Sequence, residues 1–171
     1  FDLSSIPADA VIEAVSLTLS TARVQNGSRT IGIHTVTQDW GEGTSNSGNG
    51  RGNIATNGDA TWIHAFNPDV RWSNSGGDFE GTPSATVQAS AGDVVWSTDQ
   101  MVADVQTWVS DATQNFGWIL IGDESENKST LHFQSREGNS QPELSVTYAV
   151  EAASTANVQI IHNAADPAAA A

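Results

Sequence analysis

The 171-residue chain has no cysteine, one methionine, one tyrosine and only six basic residues. The missing cysteines exclude a disulfide framework, thiol catalysis and zinc–thiolate sites. The few lysines and arginines face 20 acidic residues, for a formal net charge of −14. That balance argues against nucleic acid and anionic membrane as partners, because both demand a basic face. It suits solubility and cation binding, and it opposes an anionic polysaccharide unless calcium bridges the two. No apolar run is long enough for a transmembrane helix or a signal peptide. Membrane insertion is therefore not expected, and any export signal is expected upstream of residue 1. Catalytic signatures are missing too. The sequence holds no G-x-S-x-G elbow, no H-E-x-x-H, no phosphate loop and no dinucleotide fingerprint. His34, His64 and His132 stand singly on strand-like segments, and nothing pairs two carboxylates as a glycosidase requires. No enzyme is expected.

What is present reads as many short strands. Val11 to Thr21 alternates with Val15, Leu17 and Leu19 on one face, and Arg29 to Thr37 does so with Ile31 and Ile33. Asn26-Gly27 between them is a hairpin signal. Further short strands are expected at Thr61–Phe66, Ala85–Ala89, Asp93–Trp96, Thr130–Gln134 and Glu143–Val150. The continuous apolar run from Gly117 to Gly122 reads as a central strand covered on both faces. One helix is predicted. Ser97 with Gln100 makes a capping box, and Met101, Val102, Val105, Trp108 and Val109 follow on one face. The sum is an all-β, jelly-roll-like antiparallel sandwich with one short α-helix over residues 1–150. Residues 151–171 read as a small-residue linker and a β-type tail.

The segment from Trp40 to Phe79 carries three of the six tryptophans and more than half of the fifteen glycines. That much indole argues against disorder and that much glycine against helix, which leaves a long ordered loop. Trp40, Trp62, Trp72 and Trp96 are candidates for stacking on sugar rings, with loop anchoring as the alternative. Trp72, flanked by Arg71 and a Ser/Asn/Gly stretch, is expected to be the most exposed. Trp108 and Trp118 read as core. Leu131, Phe133, Leu144 and Val146 are expected to join them. Asp39, Glu42, Asp59, Asp78 and Glu80 gather oxygen ligands near the loop. Asp123-x-Ser125-x-Asn127 has part of a calcium-loop spacing but lacks its glycine and bidentate glutamate. Asp39, Glu42, Asp78 and Asp123 are the candidate calcium ligands, with plain solvated acids as the alternative. Arg136 could clamp a sugar carboxylate or pin its own loop by an ion pair.

Several pieces, in order, carry a resemblance. They are Phe1-Asp-Leu-Ser-Ser-Ile-Pro7, Trp40-Gly-Glu-Gly, Gly58-Asp-Ala-Thr-Trp62, Gly76-Gly-Asp-Phe79, Val102-Ala-Asp-Val-Gln-Thr-Trp108, Asn115-Phe-Gly-Trp, Ser135-Arg-Glu137 and Pro142-Glu-Leu-Ser-Val-Thr-Tyr148. Over roughly 148 residues the chain resembles the DNRLRE-type β-sandwich domains, which include the family 96 carbohydrate-binding modules. The resemblance implies a secreted, non-catalytic module of a larger surface protein, some relatives binding alginate-like polysaccharide. Family domains usually place one or two strands before the first motif. Residues 156–167 resemble the first strand of a DUF4397-type domain. Two functions are therefore expected as alternatives. One is an extracellular module that binds or cross-links polysaccharide. The other is a subunit of an extracellular filament. In that case an open groove along Val15–Leu19 would receive Val158, Ile160 and Ile161 of a neighbouring copy.

Overall fold

The computed structural model describes residues 1–25, 27–45, 52–123, 125, 130–150 and 153–162, with the backbone alone for 153–157 and 162. Ten strands are placed. They are β1 (Val11–Val24), β2 (Arg29–Thr35), β3 (His64–Phe66), β4 (Val70–Arg71), β5 (Ala85–Ala89), β6 (Asp93–Trp96), β7 (Trp118–Gly122), β8 (Leu131–Phe133), β9 (Glu143–Val150) and β10 (Ala153–His162). One helix, α1 (Asp99–Ser110), precedes a 3-10 turn at Ala112–Gln114. One sheet runs β10-β9-β1-β6, with β8 also paired to β1, and a second runs β5-β2-β7. Strands β3 and β4 form a separate small hairpin. Every pairing is antiparallel. The protein is an all-β, jelly-roll-like sandwich with one short helix.

The alternation seen in the sequence builds the core. Val15, Leu17 and Leu19 of β1, Ile31 and Ile33 of β2, Val94 and Trp96 of β6, and Leu144 and Val146 of β9 are buried in one cluster. Met101, Val105, Trp108 and Val109 bring the apolar face of α1 onto it. Leu131, Phe133 and Trp118 pack against this cluster while only partly buried.

Four expectations are corrected. The pair Asn26-Gly27 does not close a β1–β2 hairpin, because the two strands lie in different sheets and face each other across the core. Asn26 itself lies outside the described residues. Ser97 does not cap α1. Thr98 does, its hydroxyl accepting from Met101 N at 3.2 Å, while Ser97 Oγ donates to Val15 O at 2.7 Å. Strand β7 is not central. Among the described residues it pairs with β2 alone, and Leu120 is 37% exposed.

The fourth correction concerns the groove along Val15–Leu19. It is filled within the chain. Strand β9 covers one edge of β1 from Val11 to Thr18, and β6 covers the other from Leu17 to Ser20. Where β6 stops, side chains of the helical segment take over. Gln106 Oε1 accepts from Ile12 N at 2.9 Å and Gln106 Nε2 donates to Ala10 O at 3.0 Å. One side-chain amide thus makes the two bonds that a neighbouring peptide group would make, which is how an otherwise unpaired edge is satisfied. The tail does not stand apart either. Strand β10 pairs with β9 from Ala153 to His162, and Ile161 enters the core.

Replacing Gln106 with Ala should leave Ile12 N–H and Ala10 C=O unpaired and cost about 1–3 kcal/mol. Urea unfolding of the two proteins measures it, and equal midpoints would show that the edge does not need the amide.

Candidate functional site

Between β2 and β5 the chain makes a long excursion that carries little aliphatic surface. Polar contacts shape it. Asp59 is buried, and its carboxylate accepts from Thr44 N at 2.9 Å, from Ser45 N at 3.3 Å, and from both the amide and the hydroxyl of Thr56. The backbone bond from Thr56, followed by the bonds from Ser45, holds the Asp59 carboxyl far below the ordinary carboxylate range. Gly43 has φ +69, and a Cβ there would collide with the Asp59 carboxylate, so glycine is required twice over. Asp78 works in the same way on the next turn. It accepts from Ser73 N at 2.7 Å and Asn74 N at 2.9 Å, and these bonds lower its pKa, the Ser73 bond most. Backbone bonds then stitch the loop to the sandwich and to itself. Thr37 N donates to Asp78 O at 2.9 Å, Gly41 N to Ala65 O at 2.9 Å and Gly76 N to Trp62 O at 2.7 Å.

The result is an open pocket of about 350 Å³ over the β7 edge. Its walls are Trp40 and Trp72 from the loop, Trp118, Ile119 and Leu120 from β7, and Val36, with Ala60, Thr61, Gly76, Gly77 and Asp78 also in the lining. Each of the three indole N–H groups is already engaged. Trp40 Nε1 donates to Phe116 O at 2.8 Å, Trp72 Nε1 to Thr61 O at 2.9 Å, and Trp118 Nε1 to Asp104 Oδ2 at 2.8 Å. What these rings have left to offer is apolar aromatic surface. Trp62 stands beside the pocket and is 73% exposed. Its ring lies against Gly76, where φ is +100 and a Cβ would sit 2.9 Å from Cη2.

The candidate residues sort as follows. Trp40 and Trp72 line the pocket and Trp62 flanks it. Trp62, rather than the partly buried Trp72, is the most exposed of these indoles. Trp96 is corrected. It is 1% exposed in the core, packs against Phe133 and donates to Ile31 O in the facing sheet at 3.1 Å, so no ligand can stack on it. Arg136 does not line the pocket. It pairs with Glu42 at 2.7 Å and Glu137 at 2.8 Å, tying the turn after β8 to the loop, which is the pinning role.

Among the described residues the candidate calcium ligands are not brought together. Asp39 caps Trp40 N, Glu42 holds Arg136, Asp78 holds its own turn and Asp123 accepts from Ser125 N. Among the described residues no three His, Asp or Glu side chains converge on a point that could hold a metal ion. Asn127 lies outside the described residues. Trp118, Leu120 and Val36 are site residues that the sequence did not reveal. An apolar run in a strand carries no sign of whether it faces core or pocket. Trp118 also packs at a tilt against Trp108, ring centroids 4.5 Å apart, so it serves both.

No known family model, curated protein or solved structure matches this chain.

Asp59 and Asp78 both have folded pKa values below their unfolded value of about 3.9. Their contribution to stability is therefore complete above that value and is lost as pH falls through the folded values. Melting temperatures recorded from pH 5 downward should drop more steeply for the native protein than for Asp59→Asn, which should also melt several degrees lower at pH 7. Parallel acid limbs would show that Asp59 does not couple loop order to pH.

Proposed function

We propose that this is a non-catalytic extracellular module that binds polysaccharide through the tryptophan-lined pocket. The observation that carries it is three indoles and four aliphatic residues on the walls of one open, ligand-sized cavity. Sugar rings present flat CH-rich faces, and fixed indoles are suited to them. The single carboxylate in the lining, Asp78, is occupied by Ser73 and Asn74, which supports binding rather than bond cleavage. The ordered motifs that resemble DNRLRE-type domains point the same way. Trp40→Ala should weaken binding in a soluble-polysaccharide affinity gel about tenfold, a loss of about 1.4 kcal/mol. Trp62→Ala should weaken it with an almost unchanged melting temperature, since this indole is mostly in solvent. Loss of stability without loss of retardation would make both residues loop anchors.

A second reading rests on β10. It is the outermost strand of its sheet, and its register with β9 would be the same if it came from another copy. Exchange of Val158, Ile160 and Ile161 between copies would give head-to-tail filaments. The cysteine-free chain allows a direct test. Val158 and Thr147 are register partners, so a Val158→Cys, Thr147→Cys variant should oxidise to a ladder of cross-linked chains if strands are exchanged. A product running only as a single chain would dismiss the filament.

A further inference from the structure

The charges around the pocket select among glycans, and the inference here rests on the glycan-binding reading above. Among the described residues, none that lines the pocket is Lys, Arg or His, and the one ionisable lining residue is the carboxylate of Asp78. Its bonds from Ser73 N and Asn74 N keep it ionised at neutral pH. The chain near the walls adds more acid. Asp39 precedes Trp40, Glu42 follows it by two residues, and Glu80 follows Asp78 by two. Among the described residues two arginines lie in the neighbouring chain, and Arg51 of the same excursion lies outside them. Arg136 is committed to Glu42 and Glu137, and Arg71, on β4, is paired in register with His64 across the small hairpin. Neither contributes to the lining.

A sugar carboxylate entering this cavity would leave water for apolar walls, find no cation among the described lining residues and face a fixed negative charge. Burying an unpaired carboxylate is costly, and a like charge nearby raises the cost. A neutral sugar meets no such barrier. We propose that the pocket takes an uncharged pyranose residue, such as a neutral hexose or pentose, and rejects uronic acids. Discrimination then comes from repulsion rather than from a dedicated contact. The volume of about 350 Å³ lies at the small end of ligand pockets, so the site holds a short stretch of a neutral chain.

The test uses the full chain with four soluble oligosaccharides in calorimetry at low ionic strength: cellohexaose, mannohexaose, hexaguluronate and hexagalacturonate. At least one neutral oligomer should bind about tenfold or more tightly than both uronates, with an affinity that added sodium chloride leaves unchanged. Leu120→Lys puts a cation on the wall at a part-exposed position, and it should narrow that gap by improving uronate binding. If that variant does not fold, the native panel decides alone. A native protein that prefers a uronate, with or without added calcium, overturns this inference and leaves the glycan reading standing. A native protein that binds no member of a wide neutral, uronate and amino-sugar panel overturns both. Preference for a cationic amino-sugar oligomer also overturns the choice of an uncharged residue.

Discussion

The carboxylate–amide bond is the interaction on which the tryptophan-bearing loop region of this protein depends. The excursion between β2 and β5 contains too few aliphatic residues to fold by burial, and its glycines increase the entropy that ordering must overcome. Asp59 and Asp78 meet that need by accepting three and two backbone N–H groups respectively, in bonds stronger than neutral ones. Asp111 makes a similar contact at the end of α1, where it accepts from Thr113 N at 3.0 Å. The large acidic excess is therefore not only a solvated shell. Part of it is structural, and the loop would lose its shape if these aspartates were neutral.

Named side-chain bonds tie the helix, the strands and the loop together. Asp104 is buried on α1, and it takes Gln100 Nε2 on one oxygen and the Trp118 indole on the other. It thereby links the helix to the strand that forms a pocket wall. Trp40 reaches Phe116 O from the loop side, and Arg136 reaches Glu42 from the turn after β8. These contacts connect residues far apart in sequence, so the site exists only in the folded chain.

That distance explains what could be read in advance. Strands Ala85–Ala89, Asp93–Trp96 and Glu143–Val150 were legible at their bounds because two-residue alternation is a local property. Sheet membership was not. Asn26-Gly27 marks a local reversal, and nothing local says whether the flanking strands pair or face each other across a core. The tryptophans were partly missorted for the same reason. Trp96 resembles a loop-edge indole in sequence, yet its partner Ile31 lies 65 positions away. Trp118 sits in a run as apolar as any core strand and turns out to be wall and core together. The covering of β1 by Gln106 could not be foreseen, since a glutamine on a helix gives no sign that it will stand in for a peptide group. The oxygen-rich loop was visible as a cluster of acids, but Asp39, Asp59 and Asp78 bind nearby backbone and Glu42 binds an arginine instead of sharing a cation.

The tethered indoles have a thermodynamic consequence. A ring whose N–H is bonded to the protein has already given up most of its rotamer freedom before any ligand arrives. Trp40, Trp72 and Trp118 are all held in this way. Association therefore demands little further ordering of the walls, and that ordering is one of the main terms opposing complex formation. The free and occupied pockets should superimpose closely, and a ligand should be met by a surface already rigid in its absence.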